Sequence, residues 1–330
     1  MDWGLIVENA LRAAVDEDAI VFALAAIGLN IHFGFTGLYN FGQVAFLAVG
    51  AYSIAIGVAN FGWSLWLALF VGILAAVVLA LILGIPTLRL RGDYLAIVTI
   101  ASGEILRLVF RANTFRDVAG GSDGLQNFGD QFFAVNPLPD NFNLEFLVWN
   151  FSRNETWLFF VGWGLVAAAL LLTFLLMRSP WGRIVKAIRE DEDAVRSLGK
   201  NVYWYKMQAL ITGGVIGAVA GFIFALSRQS VQPDNYSTTA TFFAYTALFL
   251  GGAATIFGPV LGSMLFWAII QFTDVFMAEL SRNYNLDFLG SNQRGAVRLM
   301  LVGVLLMVLI IFRPQGLIGD RKEVAVSARR

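Results

Sequence analysis

A chain of 330 residues in which 58% are hydrophobic and only 14% charged is too apolar for a water-soluble globular domain, where about 25% of residues are charged. Its net charge of zero provides no electrostatic basis for nucleic-acid binding. The absence of cysteine excludes disulfides and thiolate metal sites, and a single histidine argues against a transition-metal centre.

Apolar segments of about 20 residues, the length that an α-helix needs to cross a hydrocarbon core, recur along the chain. They predict an all-α integral membrane protein, a polytopic bundle of about nine transmembrane helices. Eight to ten is the range, because the glycines of GFTGLYNFG (34–42) interrupt the first pair. The predicted spans are 19–38, 42–60, 65–85, 94–110, 157–177, 208–227, 242–258, 260–280 and 298–312.

The charges of the loops predict the orientation of the bundle, since Lys and Arg concentrate on the cytoplasmic side of a membrane. Segment 178–206 carries seven Lys or Arg residues and the tail 313–330 carries five, so both are expected in the cytoplasm with the C-terminus. Loop 111–156 has three basic against six acidic residues. It is expected to be an extracytoplasmic loop.

The sequence SPWGRIVKAIREDEDAVRSLGKNVYWYK (179–206) has the pattern of an amphipathic helix that lies across the cytoplasmic surface. Gly199 is expected to end this helix. A charged, exposed helix could dock a soluble partner or could simply be a hydrated face, and the pattern leaves both open. The apolar residues assigned to its buried side are Ile184, Ala187, Ile188, Ala194, Val195 and Leu198.

Two further patterns fall inside the predicted spans. Glu104 and Arg107 stand at i and i+3, where they can form an intramembrane ion pair, either as a structural brace or as part of a pathway. Small residues recur at every fourth position in 72–84 and in 213–221. These stripes predict close approach of helix backbones in lipid.

Two patterns that would indicate an enzyme lack the chemistry they need. Gly199-Lys200-Asn201 has no upstream glycine, hydroxyl residue or strand of a phosphate-binding loop. GGSDG (120–124) fits the elbow of a serine hydrolase, but the single histidine, His32, lies in the first predicted helix. We therefore expect no enzymatic activity, no cofactor and no metal bound by this chain.

Five motifs are spread from residue 28 to residue 319. They are GLNIHFGFTGLYNFGQVAFLAVGAY (28–52), LRLRGDYLAIVTIASGEILRLV (88–109), GGSDGLQ (120–126), SPWGRIVKAIREDEDAVRSLG (179–199) and RPQGLIG (313–319). Together and in this order they resemble the permease subunits of branched-chain amino acid ABC importers, of the LivM type. The resemblance implies a single permease domain, 1–330, in a bacterial-type inner membrane. Its implied partners are a second, LivH-like permease, two cytoplasmic ABC ATPase subunits that use ATP, and an extracytoplasmic substrate-binding protein.

The resemblance also implies that 178–206 is a coupling-helix loop seated in the ATPase. Asp193-Ala194-Val195 stands for the family's EAA triplet and Gly199 follows at the family's spacing, whereas the later Leu-Pro ending is absent. In GGAATIFGP (251–259) the family usually has glycine at Ala254, a change that we interpret as tighter helix packing. The candidate ATPase-coupling residues are Arg183, Lys186, Arg189, Glu190, Asp193, Ala194 and Gly199.

By the same resemblance, the expected function is import of branched-chain amino acids (leucine, isoleucine and valine) by alternating access. Substrate is expected to pass between two permeases along the break after the first helix, because non-helical backbone at membrane depth needs a cover of protein or water. Urea, amides or other amino acids are alternative substrates, and an ion-coupled secondary transporter or channel acting alone is the alternative from another class. The candidate path residues are Asn30, Thr36, Tyr39, Asn40 and Gln43.

Overall fold

Helices make up most of the computed structural model, which describes residues 2–89, 92–139, 142, 144–146, 149–284, 291–313 and 315–319. The α-helices are α1 (Trp3–Ala13), α2 (Glu17–Leu29), α3 (Gln43–Ala59), α4 (Leu65–Thr87), α5 (Gly92–Arg111), α6 (Arg116–Ala119), α7 (Asp130–Ala134), α8 (Arg153–Arg178), α9 (Pro180–Glu190), α10 (Glu192–Ser197), α11 (Val202–Arg228), α12 (Thr238–Gly251), α13 (Gly258–Tyr284) and α14 (Ser291–Phe312). A π-helical stretch, Asn30–Phe35, continues α2 and is called the π segment below. Short 3-10 helices lie at Asn113–Phe115 and Pro233–Tyr236.

Four short strands form two antiparallel pairs beside the helices. The strands are β1 (Leu125–Gln126), β2 (Leu144–Phe146), β3 (Trp149–Phe151) and β4 (Ser230–Val231). Strand β1 pairs with β4, with Leu125 opposite Val231, and β2 pairs with β3, with Glu145 opposite Asn150.

Nine helices of 13 residues or more pack together within the described part of the chain, namely α2, α3, α4, α5, α8, α11, α12, α13 and α14. Five segments are long and apolar enough to span a membrane: Glu17–Phe35, Leu65–Thr87, Arg153–Arg178, Val202–Arg228 and Gly258–Asn283. Helices α3 and α12 are shorter and also apolar. The predicted all-α polytopic fold is therefore confirmed. The end of the bundle at α9 and α10 is called the α9 end, and the end at residues 112–152 is called the long-loop end.

Glycines let α11 pack directly on the backbones of α2 and α3 in the centre of the bundle. A side-chain carbon at Gly213 would collide with the His32 ring and with the carbonyl oxygen of Gly28. One at Gly221 would collide with the carbonyl oxygen of Leu47. Such contacts stabilise helix association in lipid, where the hydrophobic effect does not. The small-residue stripe predicted in 213–221 therefore lies at a close helix interface.

Helix α1 was not predicted from the sequence. Asp2 caps its first turn by accepting a hydrogen bond from the backbone N–H of Leu5 at 3.1 Å. Ile6 and Ala10, one turn apart, are its buried residues, and the helix lies along α13. The Asp2 cap and the i, i+4 spacing were readable signals, but the segment is too short and too charged to register as a membrane span.

The segment 178–206 folds differently from the single amphipathic helix that we predicted. Helix α9 ends at Glu190, α10 begins at Glu192, and α11 already begins at Val202. Asp191 causes the break, because its backbone is extended (φ −155°, ψ 100°) and its carboxylate accepts hydrogen bonds from two backbone N–H groups of α10, both at 3.0 Å.

The buried side of this segment also differs from the prediction. Ile188 and Val195 are buried as predicted, and Val185, which was not assigned to the buried side, is buried on α9 as well. Leu198, which was assigned to the buried side, is 77% exposed. Ala187 and Ala194 are exposed as well. The break at Asp191 interrupts the pattern of one continuous helix, and of the predicted residues beyond it only Val195 is buried.

The predicted span 242–258 is wrong in its second half, because α12 ends at Gly251 and 252–257 is not helical. Gly252 has a φ of +119°, which residues with side chains rarely adopt. The N–H groups of Leu317 and Ile318 in the tail donate to the last carbonyl oxygens of α12, at 3.0 and 3.1 Å. Residues 320–330 of the predicted cytoplasmic tail lie outside the described residues.

Ala254 adopts a left-handed backbone conformation (φ +61°) in this non-helical connection. Our interpretation that alanine tightens helix packing here is therefore wrong, since the residue belongs to no helix and instead carries strain. For a residue with a side chain the left-handed conformation costs roughly 1–2 kcal/mol.

We therefore expect Ala254→Gly to stabilise the protein by about 1 kcal/mol, measured as a higher melting temperature of the purified protein. Ala253→Gly is the matched control, because Ala253 has no positive φ and glycine there only adds freedom to the unfolded chain. A melting temperature of Ala254→Gly at or below that of Ala253→Gly would contradict this reading of the backbone.

Candidate functional site

The π segment joins α2 to the non-helical loop 36–42 at the α9 end of the bundle. Gly34 is required in it, because a side-chain carbon there would collide with the Asn30 side chain and the backbone nitrogen of Ala254. Asn30 uses this space to reach the connection between α12 and α13. Its Nδ2 donates to the carbonyl oxygen of Thr255 at 2.6 Å, and its Oδ1 accepts from the backbone N–H of Ala254 at 2.8 Å. The side-chain amide of Asn30 therefore holds the π segment against the non-helical connection 252–257.

A chain of buried hydrogen bonds holds the start of α3 against α11. Asn40 Nδ2 lies 3.0 Å from His32 Nδ1 and 3.1 Å from Gln43 Oε1, and Asn40 Oδ1 accepts from the backbone N–H of Gly42 at 2.9 Å. Because the amide nitrogen is the donor, His32 Nδ1 must be the acceptor, which places the ring proton on Nε2. His32 Nε2 then donates to the carbonyl oxygen of Leu210 at 3.0 Å.

Side chains from two other helices hold the loop in place. The hydroxyl of Tyr245 donates to the carbonyl oxygen of Asn40 at 2.8 Å, and Thr241 Oγ1 accepts from the backbone N–H of Val44 at 3.1 Å, both from α12. Thr99 Oγ1 on α5 accepts from the N–H of Phe41 at 3.1 Å. We did not predict these three residues, because nothing in their local sequence shows which distant backbone groups need a partner.

The structure separates the five predicted path residues into two groups. Asn30, Thr36, Asn40 and Gln43 are buried within this chain and are hydrogen-bonded to it. Tyr39 is 43% exposed and packs edge-on against Phe33, with 5.6 Å between the ring centroids. In this conformation the buried four brace the break, and Tyr39 is the candidate that reaches the surface of the chain.

Helix α9 lies directly against the π segment. Arg189 Nη1 donates to the carbonyl oxygen of Gly34 at 2.5 Å, and Arg189 Nη2 lies 2.9 Å from Glu190 Oε1. The ammonium of Lys186 lies over the Phe35 ring, 5.5 Å from its centroid. The structure thus brings two members of the predicted coupling set into contact with the π segment, which also carries the predicted path residue Asn30.

The remaining coupling candidates lie on the outer surface of α9 and α10. Arg183 and Ala194 are exposed, and Asp193 pairs with Arg196 at 3.0 Å across an exposed face. Gly199 follows α10 with a φ of +73°, and a side-chain carbon there would meet open space.

An ion pair that we did not predict anchors this surface to the bundle. Glu192 on α10 forms an ion pair with Lys206, which lies one turn into α11. Both residues were visible as charges in the sequence, but the break at Asp191 decides that they meet.

Glu104 and Arg107 form the centre of a wider cluster at the long-loop end. Arg107 Nε lies 2.8 Å from Glu104 Oε2, and Arg107 Nη1 lies 2.9 Å from Asp234 Oδ1. Thr238 donates to the other oxygen of Glu104 at 3.1 Å, and Arg111 reaches Asp234 at 3.2 Å. The pair therefore does more than brace α5, because it ties this helix to the start of α12. Among the described residues there is no group of His, Cys, Asp or Glu that could hold a metal ion.

A family model for the permease component of branched-chain amino acid transport systems matches residues 15–311 of this chain. The high-affinity branched-chain amino acid transport system permease protein LivM of Escherichia coli (strain K12) is 31% identical to it, over 93% of this chain and 70% of that protein. The corresponding permease protein LivH is 28% identical, over 74% of this chain and 79% of that protein. A nucleoside ABC transporter permease protein, NupC of Lactococcus lactis subsp. cremoris, is 27% identical over 70% of this chain and 71% of that protein. Because the family model spans most of the chain and the likeness to LivM extends over nearly all of it, this protein belongs to the permease components of branched-chain amino acid ABC transport systems.

Proposed function

We propose that this chain imports leucine, isoleucine and valine as one of two permeases driven by two cytoplasmic ATPase subunits. Its likeness to both LivM and LivH indicates a second permease as partner. The ATPases, an extracytoplasmic substrate-binding protein and the inner-membrane topology with a cytoplasmic C-terminus are parts of the proposal. ATP is hydrolysed by the partner subunits, and no cofactor is bound by this chain.

The contact between Arg189 and Gly34 is the single observation that supports this mechanism most. In the proposal, the α9 end faces the cytoplasm, and the exposed side of α9 and α10 sits in an ATPase. Movement of α9 then acts on the π segment through Arg189 and Lys186. Asn30 passes the movement on to the connection between α12 and α13.

Alternating access requires contacts that differ between the two states of the permease. The π segment is suited to this, because it lies between two non-helical stretches, 36–42 and 252–257, whose backbone can change without breaking a long helix. At the long-loop end, the cluster around Arg107 joins α5 to the start of α12. We propose that this cluster holds that end closed in the present conformation.

Family membership alone does not define the substrate, since the relatives include a nucleoside transporter permease. Branched-chain amino acids are favoured by the family description and by the relatives with the higher identity. Urea, amides and other amino acids are the alternatives that competition experiments must separate.

We expect Gly199→Arg to abolish ATP-driven uptake while the protein still accumulates in the membrane. A side-chain carbon at this exposed position has nothing within 4 Å, so an arginine should extend away from this chain and collide with a docked partner. Gly199→Asn is the matched control, because asparagine tolerates the left-handed backbone of Gly199 and is short. Equal uptake by both variants would contradict the proposal that an ATPase docks at the turn around Gly199.

Reconstitution tests the proposed function directly. Proteoliposomes that contain both permeases and both ATPases, with the binding protein outside, should take up labelled leucine only with ATP inside. Excess isoleucine and valine should compete, whereas urea and uridine should not. Leucine uptake by this chain alone, driven by a proton or sodium gradient, would overturn the proposal in favour of a secondary transporter.

A further inference from the structure

A cavity of about 180 Å³ lies at the long-loop end of the bundle, where α2 and α12 begin and α11 ends. Side chains of α13 and α14 complete its wall. Its lining shares no residue with the π segment or with the ion pairs of Arg107. The cavity is therefore a separate feature of the protein, and neither the break nor the cluster around Arg107 explains its charges.

The charged side chains that line this cavity are Asp18, Arg228 and Arg298. One carboxylate and two guanidinium groups give the lining a net charge of +1. Asp18 is already paired, because its two oxygens lie 2.9 and 3.3 Å from Nη2 of Arg228. The charge left without a counter-ion in the lining is therefore the positive charge of Arg298.

Arg298 is held by aromatic rings and not by an acceptor. Its guanidinium lies over the rings of Trp267 and Phe243, 5.1 and 5.8 Å from their centroids, and its buried Nε has no hydrogen-bond partner among the described residues. Asp274 on α13 attracts Arg298 from outside the lining. A half-buried cation in a membrane helix is costly unless an anionic or accepting group joins it. The missing partner of this cavity is therefore an anion.

The position of Arg298 in α14 places this anion at the depth of lipid headgroups. Arg298 directly precedes 299–312, a stretch without a charged or polar side chain. The hydrocarbon core of a membrane takes such a stretch, and basic side chains next to it reach the headgroup region. The exposed side of this stretch includes Met300, Val304 and Met307. An anion with acyl chains attached therefore has an apolar surface directly beside its charge.

The size and polar lining of the cavity match a phosphodiester. Guanidinium groups bind phosphate oxygens through paired hydrogen bonds, and Asn235 and Ser237 add amide and hydroxyl groups to the wall. A phosphodiester carries a single negative charge, whereas a phosphate monoester carries about −1.5 to −2. Sites that enclose a drug-sized ligand have about 300–1,000 Å³. This cavity is smaller, so it can hold a headgroup while the acyl chains lie outside it.

We propose that this cavity binds the phosphodiester headgroup of an anionic membrane phospholipid, with phosphatidylglycerol as the simplest example. Arg298 binds the phosphate oxygens, and the acyl chains lie along the exposed apolar side of α14. The bound lipid joins α14 to α2 and α12 and stabilises the long-loop end. This site goes beyond the proposed function and does not depend on the transported substrate.

Titration of phosphatidylglycerol onto the purified, delipidated chain in detergent tests the site, with each bound lipid counted by native mass spectrometry. We expect a first lipid that binds more tightly than those that follow. Arg298→Gln should weaken this first binding by about tenfold or more, because a charge-assisted contact is lost. Arg116→Gln is the matched control, since it removes an exposed positive charge at the same end outside the lining and should bind as the unaltered protein does.

A variant with the opposite expected sign separates a contact from a folding defect. Asp18→Asn removes the negative charge of the lining and releases Arg228, so it should tighten the first binding by about threefold or more. A misfolded protein would not bind more tightly. Equal losses in Arg298→Gln and Arg116→Gln, or weaker binding in Asp18→Asn, would overturn the proposal.

Other ligands identify the source of the anion. Phosphatidylcholine, whose headgroup is neutral overall, should bind the unaltered protein about tenfold more weakly than phosphatidylglycerol, and Arg298→Gln should abolish this preference. If millimolar inorganic phosphate displaces the first lipid, the cavity is a site for free anions and the proposal is wrong. Displacement of the first lipid by leucine would likewise overturn it, because the cavity would then belong to the transport pathway.

Discussion

Replacement of Arg189 by alanine is expected to uncouple ATP hydrolysis from leucine uptake. The variant loses the hydrogen bond from a guanidinium to the carbonyl oxygen of Gly34, through which α9 contacts the π segment. Hydrogen bonds of charged groups contribute about 1.5–3 kcal/mol, which corresponds to roughly 10–150-fold in an equilibrium constant. Uptake by the reconstituted transporter should therefore fall by at least about tenfold, while the ATPases still bind and hydrolyse ATP.

Two further measurements make this expectation specific. Arg189→Lys keeps the positive charge but not the planar fork that serves Gly34 and Glu190 together, so it should restore only part of the uptake. Arg183→Ala, on the exposed side of α9, should lower the affinity for the ATPase subunits and leave the ratio of transport to hydrolysis unchanged. An unaltered ratio of transport to hydrolysis in Arg189→Ala would show that α9 acts on the bundle by another route.

The second large effect is expected for the substitution Asn40→Leu, which should destabilise the α9 end of the bundle. The side chain of Asn40 serves His32, Gln43 and the N–H of Gly42 at once, and all of these groups are buried. Each buried polar group left without a partner costs about 1–3 kcal/mol, so Asn40→Leu should lose about 3 kcal/mol or more. Folded proteins are stable by only about 5–15 kcal/mol, so this loss is a large fraction of the total.

Thermal unfolding of the purified protein measures this effect. The melting temperature of Asn40→Leu should fall by about 5 °C or more, at about 2 °C per kcal/mol for a chain of this size. Tyr39→Leu is the matched control, because the neighbouring side chain is 43% exposed and should change stability little. If both variants melt alike, the buried network does not stabilise the break.

Local patterns predicted the helices well and their interruptions less well. The break at 34–42 was visible because glycines interrupt an apolar run, and it lies where loop 36–42 is found. The end of α12 at Gly251 was missed, because apolar residues continue through 252–257 and hydropathy does not register backbone conformation. The break at Asp191 was missed because the charge pattern was read as one helix, although an aspartate before Glu192 is a common start of a new helix.

The candidate site shows the same division between local and distant information. The identities of Asn30, His32 and Asn40 drew attention to the break, but not their contacts. Asn30 and His32 have partners far away along the chain, 225 residues from Asn30 to Thr255 and 178 from His32 to Leu210. The contact between Arg189 and Gly34 joins positions 155 residues apart.

The sequence by itself determined that this chain is a bundle of membrane helices with a charged, exposed segment near residue 190. The length of an apolar run decides whether a helix can cross a bilayer, and that length is a local property. Only the tertiary structure decided that the buried polar residues brace a break and that α9 contacts it. A buried polar group is satisfied by whichever backbone or side chain folds against it, and that partner is chosen by packing and not by its neighbours in sequence.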